Sequence, residues 1–203
     1  MLGIINYGSG NFSSLCNAIE YLKIPYREVN SPTQLADCSH LILPGVGAFH
    51  DCMRALQALE LVDPLKNVLQ STNTFFLGIC VGHQILSSIG NEFGRGEGLG
   101  IIPGETKKFE GLKNLPVPHM GWNEVKFTHD DPIFDGILEG STFYFVHSYY
   151  IQLEDPKFHL ASTDYGKSFV SAVKRNNVYG VQFHPEKSQS NGLRLLKNFA
   201  DLE

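Results

Sequence analysis

No stretch of this 203-residue sequence approaches the run of about 20 apolar residues that a membrane-spanning helix needs, so no membrane partner is expected. Blocks of like charge and low-complexity segments are missing too. Charged residues make up 18% of the chain and the formal net charge is -5, so no basic surface for nucleic acid is expected. Cysteine is scarce: Cys16, Cys38, Cys52 and Cys80 are scattered, and none forms a C-x-x-C pair. Reduced thiols and a cytoplasmic address follow as expectations. Met1–Tyr7 lacks a basic flank and is too short for a signal peptide, which fits the same address. Cys80 and His83 are three apart, but no second pair follows at ligand spacing, so no metal is expected. No dinucleotide or phosphate-loop motif is complete, and no cofactor is expected.

What is present is an ordinary globular pattern. Hydrophobic residues make up 42% of the chain, enough to build a sizeable core in one domain over residues 1–203. The first half alternates short apolar runs with helix-period segments. Leu2–Asn6, Tyr26–Val29, His40–Leu43 and the run into Gly78 read as strands. Helices are expected after Asn11, which is placed to cap the first, after Ser31-Pro32, from Phe49 and from Pro64. Alternation of this kind predicts an open, mostly parallel central sheet with flanking helices. From Ile101 the runs become short and alternating: Thr106–Phe109, Glu124–Phe127, Thr142–Tyr149, His159–Ser162, Phe169–Lys174 and Val178–Phe183. They predict an extension of that sheet plus a smaller antiparallel one, with Asn176-Asn177 as a hairpin turn and a closing helix over Gly192–Leu202. Gly90–Gly100 reads as a surface loop.

Two motifs carry chemistry. In Gly78-Ile79-Cys80-Val81-Gly82, a buried strand reaches a cysteine between two glycines and a helical run, Gln84–Ile89, leaves it. That is the shape of a nucleophile elbow, with the new helix aiming free N–H groups at Cys80. Alone, it is equally a buried structural cysteine in a βα unit. Far downstream a strand ends in His184-Pro185-Glu186. Extended backbone puts His184 and Glu186 on one side, so His184 can take the thiol proton while Glu186 holds the imidazole. Pro44-Gly45-Val46-Gly47 also follows a strand. In an open α/β sheet it reaches the edge where Cys80 emerges, so Gly45, Val46, Gly47 and the amide of Val81 are oxyanion-hole candidates.

The elbow together with His184-Pro185-Glu186 resembles the class I, or triad, glutamine amidotransferases over essentially the whole chain. That resemblance implies a flavodoxin-like fold and hydrolysis of L-glutamine through a γ-glutamyl thioester on Cys80. It also implies that Gln84, Ser148 and Tyr149 hold the substrate, with His147 structural or peripheral. Pro118-His119-Met120-Gly121-Trp122-Asn123 reads as a short loop offering the chain's one tryptophan as an anchor. With Pro44–Phe49, Phe145–Tyr149 and His184–Ser188, it is similar to the histidine-biosynthesis branch of the family, the glutaminase subunits of imidazole glycerol phosphate synthases. The implied partner is a (β/α)8-barrel cyclase in a heterodimer that receives the ammonia. Asn11 (beside Gly10), His119, Met120, Trp122 and Lys187 would lie at the interface. Val81 and His83 depart from the Leu and Met of many members of that branch. His83-Gln84 is more like the anthranilate and aminodeoxychorismate enzymes, which leaves those acceptors, surface-sugar amination and a non-catalytic regulator as alternatives.

Overall fold

The computed structural model describes residues 1–8, 11–71, 74–112 and 115–203; the Gly10 expectation lies outside them. The first half runs β1 (Leu2–Ile5), α1 (Phe12–Tyr21), β2 (Tyr26–Val29), α2 (Pro32–Leu35), β3 (His40–Leu43), α3 (Phe49–Ala58), α4 (Val62–Gln70) and β4 (Phe75–Ile79). The one-turn α5 (Val81–Gln84) leads into β5 (Ser87–Gly90), β6 (Gly96–Glu97), β7 (Ile102–Lys108), β8 (His119–Glu124) and β9 (Lys126–Phe127). Then come β10 (Thr142–His147), β11 (Tyr149–Leu153), β12 (His159–Asp164), β13 (Ser168–Arg175), β14 (Val178–Val181) and α6 (Gln189–Ala200).

Eight strands form one sheet in the order β2-β1-β3-β4-β14-β13-β12-β9. Its first five strands are parallel and the rest antiparallel. Leu41, Ile42 and Leu43 of β3 and Phe76, Leu77 and Ile79 of β4 are fully buried. A parallel sheet covered on both faces requires such unbroken apolar strands. Each buried Leu or Ile contributes about 1.5–3 kcal/mol. Phe49, Cys52 and Leu56 on α3 and Leu195, Leu196 and Phe199 on α6 supply the helical stripes that close over it.

The strand order positions the site. β14 lies parallel beside β4, with Gly180 opposite Gly78 and Val181 opposite Ile79. The Cys80 N–H donates to the Val181 carbonyl at 2.8 Å. β3 lies on the other side of β4, with Leu43 opposite Gly78. The Gly45–Gly47 segment, Cys80 and the Gln182–Glu186 segment therefore leave one sheet edge side by side.

Several local expectations are corrected. The elbow helix is one turn, not a run to Ile89. The Ile85 and Leu86 carbonyls, which would continue it, accept instead from the N–H groups of Leu99 (2.7 Å) and Ile102 (2.9 Å). The segment then becomes β5. Gly90–Gly100 is accordingly not a plain loop, since Gly90 ends β5 and β6 lies within it. Pro118–Asn123 is not a loop either: β8 pairs with β10 along its length, with Gly121 at φ +128°. The expected strand Thr142–Tyr149 breaks at Ser148, where the chain steps from the β10-β8 pair to the four-stranded sheet β11-β7-β5-β6. Among the described residues there are thus two smaller sheets, and the larger contains a parallel pair, β5 with β7. Asn11 stands at the start of α1, but its side chain does not cap the helix.

Candidate active site

Cys80 sits between β4 and α5 with φ 53° and ψ -105°, backbone that a residue with a Cβ rarely adopts. The glycines around it allow the turn. A Cβ on Gly78 would come 2.4 Å from the Gly82 carbonyl oxygen, and one on Gly82 would come 2.2 Å from that of Leu43. A Cβ on Gly45 would meet the Gly82 nitrogen at 2.7 Å, so the Gly45 segment lies directly against the elbow. The amides of Val81, Gly82 and His83 open α5 and have no carbonyl within it to bond. A one-turn helix adds little dipole, so these individual N–H groups are what the elbow offers an anion.

His184 Nδ1 meets Glu186 Oε1 at 2.7 Å, with both side chains fully buried. The connection is not the extended strand expected: β14 ends at Val181, and Pro185–Lys187 is a 3-10 turn that brings the carboxylate back under the ring. Burial alone would depress the His184 imidazole. The neighbouring Cys80 and the hydrogen bond and charge of Glu186 outweigh that and raise it well above an ordinary histidine, while its Nε2 has no hydrogen-bond partner among the described residues. Asn11 is 3% exposed, and its amide donates to the same Glu186 oxygen. That buried placement corrects its expected position at a surface. His119, 2% exposed, is also inside. Met120, Trp122 and Lys187 are exposed.

A cavity of about 350 Å³ opens over Cys80. Its wall contains Val46, Gly47, Val81, Gln84, Ser148, Tyr149 and His184, all singled out by sequence, and also Glu92, Pro118, Val146 and His147. A larger hollow of about 730 Å³, lined by Phe127–Ile137 residues and the C-terminal end of α6, shares none of them. The Gln84 NH2 is already occupied: it donates to the Tyr149 carbonyl (2.9 Å) and to Gln182 Oε1 (3.0 Å). Only its Oε1 remains for a ligand. Gln182 Nε2 in turn lies 3.6 Å from the Cys80 sulfur. Gln182 was missed in the sequence, although a glutamine in an apolar strand-end run is itself a signal.

The Tyr149 carbonyl also accepts from His147 Nδ1 at 2.7 Å. His147 Nε2 meets His119 Nδ1 at 3.0 Å, and His119 Nε2 meets Asn123 Nδ2 at 3.2 Å. Burial pushes His147 down to about 3 and His119 to about 4, so both are neutral. The donors then run one way: Asn123 to His119, His119 to His147, His147 to Tyr149. Strand alternation sends His119 and Asn123 inward from β8 and Met120 and Trp122 outward.

His83, on α5, is fully buried against Gly180, and neither ring nitrogen has a hydrogen-bond partner among the described residues. Burial holds it neutral, down to about 3. Unfolding restores an ordinary imidazole, so below pH about 6.5 the unfolded chain binds a proton that the folded chain does not. Stability falls with each step of acidification from there toward pH 3, by up to about 1.4 kcal/mol per pH unit from this group. His83→Met is expected to stabilise the chain at pH 7 by about 1–2 kcal/mol, because it removes unsatisfied buried polar atoms. It should also flatten the acid limb of a plot of melting temperature against pH. An unchanged limb would remove His83 from that account.

The class-I glutamine amidotransferase family model matches residues 3–202. The chain is 46% identical to the imidazole glycerol phosphate synthase subunit HisH of Syntrophotalea carbinolica, covering all of both chains. It is 43% identical to the subunit of the same name from Moorella thermoacetica, covering 99% of this chain and 94% of that one. A crystal structure of a glutamine amidotransferase superposes with a TM-score of 0.76 at 18% identity, covering 99% of each chain. PurLQS from Thermotoga maritima gives 0.75 at 17%, covering 98% of this chain and 96% of that one. At those identities the two structures speak to the fold alone.

Proposed function

Because the chain belongs to the class-I glutamine amidotransferase family, we propose that residues 1–203 act as one domain, the glutaminase subunit of an imidazole glycerol phosphate synthase. The observation that carries the reading is that Cys80, at the end of β4, and His184, just past the adjacent β14 and bonded to Glu186, line one cavity. Glutamine enters with its γ-carboxamide at Cys80. His184 Nε2 takes the thiol proton, and the sulfur attacks the carbonyl carbon. Amides of Val81 and of the Gly45–Gly47 segment receive the oxyanion. His184 passes its proton to the leaving nitrogen, ammonia departs, and water hydrolyses the thioester to glutamate. Glu186, held by Asn11, orients the imidazole throughout. Glu92 is the one carboxylate in the cavity wall among the described residues and suits the substrate's α-ammonium, while Ser148 and Tyr149 border the same space.

The ammonia passes to a (β/α)8 cyclase in a cytoplasmic heterodimer. Met120 is 62% exposed and Trp122 47%, both on one face of β8. They are anchors for that partner, with Lys187 as a charged neighbour. Trp122→Ala should cost about 2 kcal/mol of binding, or about 30-fold in Kd by titration calorimetry. The function is tested by mixing the chain with the barrel cyclase of the same organism and following imidazole glycerol phosphate. Glutamine should support the product only when the chain is present, and ammonium salts without it. Glutamine consumption with no product would send the ammonia to another acceptor.

A further inference from the structure

Gln182 is fully buried and directly follows β14, where register brings it beside Cys80. The hydrogen-bond chain fixes which way its carboxamide points. The Tyr149 carbonyl only accepts, so the Gln84 atom that meets it is nitrogen. That NH2 also meets Gln182, so Gln182 turns its oxygen toward Gln84. Its own NH2 is thereby aimed at the Cys80 sulfur, 3.6 Å away. On another side of the sulfur the Val146 carbonyl stands at 4.0 Å. That oxygen accepts from a thiol and gives nothing to a thiolate.

We propose that Gln182 is a catalytic residue whose carboxamide N–H donates to the Cys80 sulfur and holds it as the thiolate. The step is a proton transfer. The S–H bond breaks, an N–H bond forms at His184 Nε2, and the electron pair stays on sulfur, where the Gln182 donor meets it. Gln84 positions Gln182, and its link to the Tyr149 carbonyl ties the nucleophile to the start of β11. The inference rests on Cys80 being the nucleophile of the reaction above.

Two variants separate this role from a structural one. Gln182→Met removes the donor facing sulfur without adding a charge, so it isolates the lost bond; Gln182→Glu keeps an oxygen for Gln84 but sets a carboxylate against the sulfur, so its shift should be at least as large. The pH profile of Cys80 alkylation by iodoacetamide, read on the full chain without glutamine, should move up by about one unit or more in each. In the cyclase complex kcat should fall about tenfold or more while KM changes little. A purely structural residue would lower the melting temperature and leave the alkylation midpoint in place, and that result in a folded variant would overturn the proposal. If neither variant folds, the wild-type chain decides. By NMR its Gln182 side-chain amide proton should move downfield as Cys80 ionises and stay fixed in Cys80→Ala, whereas an unresponsive amide overturns the proposal. Alkylation needs no glutamine, so a chain that hydrolysed none would still report on this bond.

Discussion

Replacing Cys80 by glycine should give a chain that is inactive yet more stable than its Cys80→Ala counterpart. Both variants lose the sulfur, so hydrolysis of glutamine should fall by at least about 10⁴-fold in each. They differ in the Cβ. At φ 53° and ψ -105° a Cβ is strained, and residues held in such regions carry about 1–3 kcal/mol. Glycine removes that strain and gives back about 1 kcal/mol as extra freedom in the unfolded chain. The glycine variant should therefore lead by about 1 kcal/mol in denaturant melts, reversing the usual advantage of alanine in regular structure. An alanine variant that is the more stable would mean the elbow is not under strain.

The second large effect is expected at Gly82. A Cβ there would lie 2.2 Å from the Leu43 carbonyl oxygen, a backbone atom that no side-chain rotation can move. Gly82→Ala must push α5 away from the exit of β3. Such overpacking costs about 3 kcal/mol, or about 6–12 °C in melting temperature for a chain of this size. The displaced elements also carry the oxyanion candidates, the Val81 amide and the Gly45–Gly47 segment. Displacing a single donor costs about 10²-fold or more in kcat. A variant that melts and turns over like the wild type would show that the close packing of β3 on the elbow is not needed.

Much of this arrangement was legible in the sequence. The parallel half of the sheet showed itself in β1, β3 and β4, whose buried positions carry short apolar runs, whereas β14, one of the alternating runs after Ile101, joins them only through its pairing with β4. Cys80, His184 and Glu186 stand out as candidates because the chemistry proposed for them needs rare residue types beside glycine and proline. Other features were not legible because long-range contacts decide them. The helix after Cys80 stops after one turn because Leu99 and Ile102 capture its carbonyls, and neither is local to it. Asn11 had the residue type and place of a helix cap, yet a carboxylate 175 positions away takes its amide. The strand in Pro118–Asn123 was hidden by its glycine and proline, and only pairing with β10 shows it. His147 reads as structural or peripheral, and nothing in the sequence says that it joins His119 to the Tyr149 carbonyl.

That last connection gives the account a physical route from partner to site. One face of β8 carries the exposed Met120 and Trp122, and the other carries His119, whose bonds lead through His147 to the start of β11. A cyclase seated on β8 would bear on the strand that borders the cavity over Cys80. Hydrolysis by the isolated chain is then expected to be slow and to rise on binding.

The most direct test of the central claim is glutamate release from L-glutamine. It is followed for the chain alone and with its cyclase and nucleotide ligand, in the wild type and in Cys80→Ala. The expected result is weak release alone, a steep rise in the complex and none above background for the variant. Release that survives Cys80→Ala would contradict the assignment of Cys80 as nucleophile.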